Sequence, residues 1–276
     1  MIHSPGGTFP PAAMRTPQMN PDTAPNTTRR GIYVLPNLLT TGCLFFGFYA
    51  IVAAIDGNFA RAGIAVFVAM VFDGLDGRVA RLTGTETHFG KEYDSLADMV
   101  AFGLAPAIVC YQWGVARIAE YGTAWGRFGW IAAFFYAATA AMRLARFNAR
   151  AATADKRYFE GLPSPSAAAI VAAFVWLAHE YSIEGLPGLV LAFTVTASAG
   201  ALMVSRFSYR SFKDRAAGER VAYSRFLVVP VVFALIALNP PLVLFGLFAS
   251  FALSAPLVWL WRRLKRRSRP QDGSRG

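Results

Sequence analysis

An all-α integral membrane protein of about eight transmembrane helices is the fold class this sequence predicts, and three observations predict it. The chain is 55% hydrophobic over 276 residues with only 16% charged residues, and its mean hydropathy is +0.39; a soluble domain of this length is less apolar and more charged. Apolar windows recur at about 35–55, 59–80, 93–115, 128–147, 164–180, 186–204, 226–239 and 241–261. About 20 residues of helix span the hydrocarbon core. The basic residues are also sorted: with a cytoplasmic N-terminus, all of the 27 Lys/Arg except Arg61, Arg117 and Arg127 fall on cytoplasmic segments. That is the positive-inside pattern, and it predicts that both termini are cytoplasmic. The net charge of +11 is thereby explained by orientation, and nucleic acid is not an expected partner.

Taken in order, residues 1–30 are rich in Pro, Thr and Asn and read as a disordered cytoplasmic tail. They lack the apolar h-region of a signal peptide. Residues 31–261 form the membrane domain, with 31–34 at the interface before the first span. The second and third spans are joined by a short loop at about 82–92. The loop 206–225 is basic and cytoplasmic. The last two windows meet at Asn239-Pro240-Pro241, a tight turn. Residues 262–276 are a basic cytoplasmic tail, and it and the 206–225 loop would attract anionic lipid headgroups. No internal repeat is evident, which weighs against an inverted-repeat transporter. Cys43 and Cys110 offer neither a disulfide framework nor metal-ligand spacing. His88 reads as solvated.

The informative feature is a set of four aspartates in segments that otherwise read as membrane, where an ionised carboxylate is costly and is functional by default. The second span ends Asp73-Gly-Leu-Asp76-Gly77-Arg-Val-Ala80-Arg81, and the third opens Gly90-Lys-Glu-Tyr-Asp94-Ser-Leu-Ala-Asp98. Asp73 and Asp76 are spaced i, i+3, and Asp94 and Asp98 i, i+4, so each pair shares one helix face. Two adjacent helices thus bring two carboxylates each to one point near the cytoplasmic surface. Such a group repels itself unless cations separate the charges. Hard oxygen donors suit Mg²⁺ or Mn²⁺, and two divalent ions about 4 Å apart are the usual apparatus of phosphoryl displacement. Gly77 removes a side chain where a ligand approaches the helix, Ala80 is likewise small, and Arg81 can pair with a phosphate. Helix capping, or pairing with Arg78, Arg81 and Lys91, accounts for Asp94 alone but not for Asp73 and Asp76.

The pattern Asp73-x2-Asp76-Gly77-x2-Ala80-Arg81, eight residues, Gly90-x3-Asp94-x3-Asp98 resembles the signature of the CDP-alcohol phosphotransferases. These are integral membrane enzymes that displace CMP from a CDP-linked substrate with an alcohol, using two divalent metals. Within that family the chain is similar to the membrane-embedded phosphatidylserine synthases. The similarity rests on Leu35–Thr40, Phe89–Pro106, Arg143-Leu-Ala-Arg146-Phe-Asn148 and Phe159-Glu-Gly-Leu-Pro-Ser-Pro165. Cys43 stands where many relatives carry Asn.

The resemblance implies a helical bundle of that family and attack by the serine hydroxyl on CDP-diacylglycerol, giving phosphatidylserine and CMP. It implies Asp73, Asp76, Asp94 and Asp98 as metal ligands, with Asp98 also the general base. Gly77, Ala80, Arg81 and Gly90 are expected at the nucleotide and phosphate. Asn37 and Thr40 are expected there too, or as helix caps. Arg143 and Arg146, an i, i+3 pair, suit the serine carboxylate, and Asn148 a substrate hydrogen bond; anchoring and lipid-phosphate binding are the alternatives for the arginines. A homodimer in a bacterial inner membrane is expected on the same ground. One rival keeps the family with glycerol 3-phosphate, inositol phosphate or choline as acceptor. The other is a divalent-cation transporter, for which the carboxylates would sit nearer the midplane.

Overall fold

The computed structural model describes residues 27–114, 123–150, 158–183, 185–210 and 223–267. In chain order the elements are α1 (Thr27–Ile55), α2 (Phe59–Thr83), α3 (His88–Asp98), a π-helical segment (Met99–Leu104), α4 (Ala105–Trp113), α5 (Thr123–Arg150), β1 (Tyr158–Glu160), α6 (Ser164–Glu180), α7 (Gly185–Val204), β2 (Ser208–Arg210), α8 (Tyr223–Leu238) and α9 (Pro240–Arg267). A helical segment lies over each of the eight apolar windows. Four segments are long and apolar enough to cross a membrane: Val34–Ile55, His88–Trp113, Gly185–Val204 and Pro240–Lys265. Of the rest, three fall short for visible reasons. α2 carries Arg61, Asp73, Asp76, Arg78 and Arg81, while α6 and α8 have 17 and 16 residues. Residues 1–26 of the expected tail, 211–222 of the basic loop and 268–276 of the basic tail lie outside the described residues.

Small residues set the packing. Water does not drive membrane helices together, so alanine and glycine at the contacts let backbones approach. α1 buries Ala50, Ala53 and Ala54 while α2 buries Ala62, Ala65 and Ala69. A Cβ on Gly42 would lie 2.5 Å from the Phe72 ring, and one on Gly47 would lie 2.7 Å from Ala101 Cα. α1 is thereby seated on both α2 and the π-helical segment. α6 is the central helix. It is apolar all round, buries Ala167–Val175 without a break, and touches α2, α4, α7 and α9.

Two details depart from the sequence expectation. The loop expected at 82–92 is only Gly84–Thr87. Gly84, at φ +63, takes the left-handed conformation that closes α2, and Thr87 caps α3 by accepting the Gly90 N–H. Gly90 therefore sits in the first turn of α3 rather than in a loop. The all-α expectation also omits one short antiparallel pair, with Phe159 opposite Tyr209. That pair fastens the start of α6 to the end of α7, through Gly161 N–H to Phe207 O at 2.9 Å and Leu162 N–H to Leu202 O at 3.0 Å.

Gly161 has φ +83, and a Cβ there would collide with the Met203 carbonyl. Gly161→Ala is expected to destabilise the protein by about 1–3 kcal/mol from backbone strain alone. Thermal unfolding in detergent would register this as a lower midpoint, and an unchanged midpoint would mean the turn does not constrain α6.

Candidate active site

The short Gly84–Thr87 connection lays the C-terminal half of α2 beside α3. Ligand oxygens of Asp73, Asp76 and Asp94 all come within 4.8 Å of one another. Asp76 is buried, and Asp73 and Asp94 are half-buried. Asp98, one turn beyond Asp94, places its carboxyl at hydrogen-bonding distance from that of Asp73. Its Oδ1 is buried and has no hydrogen-bond partner among the described residues. Three converging carboxylates and a fourth with an idle oxygen form a donor set that fits a hard divalent cation.

α1 completes the wall. Thr40 is buried and its hydroxyl lies 2.7 Å from Asp76 Oδ2 and 3.1 Å from Pro36 O. α1 begins at Thr27, so neither Asn37 nor Thr40 caps it; Thr40 instead serves the carboxylate cluster directly. Cys43, one turn later and also buried, is within electrostatic reach of all four carboxylates. Thr41 Oγ1 pairs with Tyr93 OH at 3.0 Å, and Tyr93 stacks on Phe89. Asn37 Oδ1 lies 3.4 Å from where a Gly90 Cβ would stand, and Thr87 Oγ1 lies 3.1 Å away. The missing side chain at Gly90 is what allows α1 and the α3 cap to close together.

Around Gly77 there is room. A Cβ there would meet only Arg81 Nη2, at 3.9 Å. Ala80 is half-buried and Arg81 exposed. The flank of α2 next to Asp76 is therefore open and edged by a guanidinium.

The opposite wall is α5. Arg143 Nη1 donates to Ser164 Oγ at 2.8 Å, while Arg143 Nε and Arg146 Nη2 are buried and unpartnered among the described residues. Asp98 and Arg146 are electrostatic neighbours of Arg143. Arg143 thus neighbours both Asp98 and Arg146, and each arginine keeps one buried donor without a partner among the described residues. Asn148 is partly committed elsewhere: its Nδ2 donates to Ser95 Oγ at 2.9 Å, tying α5 to α3 between Asp94 and Asp98. His88 and Glu92 are exposed and 4.0 Å apart. Sequence reasoning did not single out Ser95, Tyr93, Thr41 or Ser164. Ser95 and Ser164 lie inside the stretches it quoted, but nothing in sequence shows that they meet α5.

The family model for CDP-alcohol phosphatidyltransferase matches residues 33–205. The chain belongs to this family. The matched stretch contains all four aspartates, Arg81, the Arg143–Asn148 segment and Gly161–Pro165, and ends before α8 and α9. Among curated relatives, a protein of Helicobacter pylori is 35% identical over 236 residues, covering 85% of this chain and 94% of its own length. One of Mycobacterium tuberculosis is 29% identical over 239 residues, covering 83% and 80%. One of Saccharomyces cerevisiae is 37% identical over 141 residues, covering 46% and 48%. Each of the three is named CDP-diacylglycerol–serine O-phosphatidyltransferase. In this CDP-alcohol phosphatidyltransferase, the aspartate cluster is the feature that accords with the family's use of divalent metal ions.

Proposed function

We propose that this chain transfers the phosphatidyl group of CDP-diacylglycerol to the hydroxyl of L-serine, giving phosphatidylserine and CMP. The observation that carries this is the convergence of Asp73, Asp76 and Asp94 beside Asp98 in a chain whose relatives bear that name over most of its length.

Asp73, Asp76 and Asp94, with Asp98 beside them, would hold the metal, a pair of Mg²⁺ or Mn²⁺ ions. When bound, the ions supply Lewis-acid neutralisation of the pyrophosphate and of the departing charge. The protein's own part is positional and acid–base. Asp98 Oδ1 takes the proton from the serine hydroxyl, a poor nucleophile without a placed base. The serine oxygen forms the new bond to the phosphorus bearing diacylglycerol. The bond from that phosphorus to the CMP oxygen breaks, and the electron pair leaves with CMP. Gly77 and Ala80 leave space for the nucleotide along α2, and Arg81 holds a phosphate. Asn37, Thr40 and Gly90 shape the nucleotide side, Thr40 through Asp76. Arg143 and Arg146 clamp the serine carboxylate with their idle donors, and Asn148 borders that pocket.

The same reading puts eight helices across a bacterial inner membrane as one catalytic domain, 31–261, with both termini cytoplasmic. The basic segments at 206–225 and 262–276 meet anionic lipid. A homodimer is the assembly suggested by family resemblance.

CMP release by purified protein with CDP-diacylglycerol and Mn²⁺ or Mg²⁺ tests the reading. L-Serine is expected to drive release, and glycerol 3-phosphate, inositol phosphate and choline are not. Release with one of those alcohols would overturn the acceptor assignment. No release with any alcohol, from folded protein, would overturn the reaction and favour ion transport.

A further inference from the structure

The helix carrying Asp94 and Asp98 does not continue as an α-helix. At Met99 it widens into π-helical turns, and Ala105 N–H bonds back five residues to Val100 O. Pro106 supplies a local cause. In an α-helix the N–H of residue 106 would serve Phe102 O, but proline has no N–H and its ring clashes with that carbonyl. Widening the helix relieves the clash and leaves the Phe102 carbonyl without its α-helical donor. That carbonyl is met from another helix: the Tyr136 hydroxyl of α5 donates to Phe102 O at 3.0 Å. Both residues are fully buried.

The segment is held on two further sides. Gly47 of α1 packs against Ala101, and Gly103 faces Ala140 of α5. Tyr136, Ala140 and Arg143 are spaced i, i+4, i+7, one stripe of α5. One helix face therefore grips the residues directly after Asp98 and carries the guanidinium beside the Asp98 carboxyl. π-Helical turns inside α-helices occur frequently at functional sites.

We infer that Tyr136 is a positioning residue for Asp98: its hydroxyl pins the π-helical segment at Phe102 and so fixes the helical setting from which Asp98 reaches Asp73 and the metal centre. It would act through Phe102, the backbone group its hydroxyl bonds. The inference rests on the proposed reaction for its kinetic consequence, but not for its effect on metal binding.

The test is Tyr136→Phe, which keeps the ring and removes the one hydroxyl. Mn²⁺ binding to purified protein without substrates, followed by electron paramagnetic resonance of the free ion, is expected to weaken about tenfold, the scale for removing groups that orient metal ligands. kcat is expected to fall about as much, with KM for serine unchanged. Thr139→Val is the control. Thr139 is also buried on α5, but its hydroxyl bonds the Tyr136 carbonyl and faces Gly200 of α7. That variant is expected to lower the unfolding temperature and leave Mn²⁺ affinity alone.

Pro106→Ala supplies an N–H for Phe102 O, so Tyr136→Phe added to it is expected to weaken Mn²⁺ binding less than it does alone. The inference is overturned if Tyr136→Phe lowers only the unfolding temperature, if Thr139→Val weakens Mn²⁺ binding as much, or if the Tyr136→Phe effect is the same with and without Pro106. Should wild-type protein bind Mn²⁺ but release no CMP, the reaction fails while the Mn²⁺ arms still decide the role of Tyr136.

Discussion

Asp98→Asn is expected to lower kcat for CMP release by about 10³-fold, within the range attributed to a positioned general base, while the protein stays folded. Asparagine matches aspartate in size, and its amide can donate to the neighbouring Asp73 carboxylate, so the contact between α3 and α2 survives. What is lost is an oxygen able to take a proton, at the one atom of the cluster that is buried and idle. Removing one of four crowded negative charges also relieves repulsion, so the unfolding temperature should be unchanged or higher. CMP release measured beside thermal unfolding checks both halves. Activity within tenfold of wild type would remove Asp98 from the base role and leave it, at most, a metal ligand.

Arg143→Ala is expected to raise KM for serine roughly thirtyfold, because a hydrogen bond to a charged group contributes about 1.5–3 kcal/mol. The argument turns on what Arg143 does with its donors. Nη1 is spent on Ser164, which fixes the plane of the guanidinium, and Nε is buried with no hydrogen-bond partner among the described residues. A planar fork held in one orientation beside Arg146 suits a carboxylate. Arg143→Lys keeps the charge but not the fork, and is expected to recover only part of the loss. Initial rates with each substrate varied separately make the decision. A rise in KM for CDP-diacylglycerol, with serine unaffected, would assign the arginine to the lipid phosphate instead.

Much of this was legible because membrane helices advertise themselves by apolar length, and because the four aspartates lie within 26 residues on two consecutive helices. Spacing alone placed Asp73 with Asp76 and Asp94 with Asp98, and the structure sets three of them around one point. What escaped depends on distant partners. The π-helical segment follows from Pro106 but is served by Tyr136, thirty residues on, and no local period signals it. The three-residue strands are too short to alternate visibly, and β1 finds its mate across α6 and α7. Asn148 reads as a substrate contact in sequence, yet one of its donors holds Ser95. The connection is shorter than the sequence predicts because Thr87 caps α3 and starts the helix at His88.

The Gly84–Thr87 turn also bears on how the protein is made. With so short a connection, α2 and α3 form one helical hairpin, which brings all four carboxylates together as a unit. α1 precedes them in synthesis, so the Thr40 hydroxyl is already there to receive Asp76. α5, with Arg143 and Tyr136, leaves the ribosome only later. On the proposed reading, the acidic half of the site is thus synthesised before the half that would bind the acceptor, so the order of translation would separate the cation-binding group from the completion of a working enzyme.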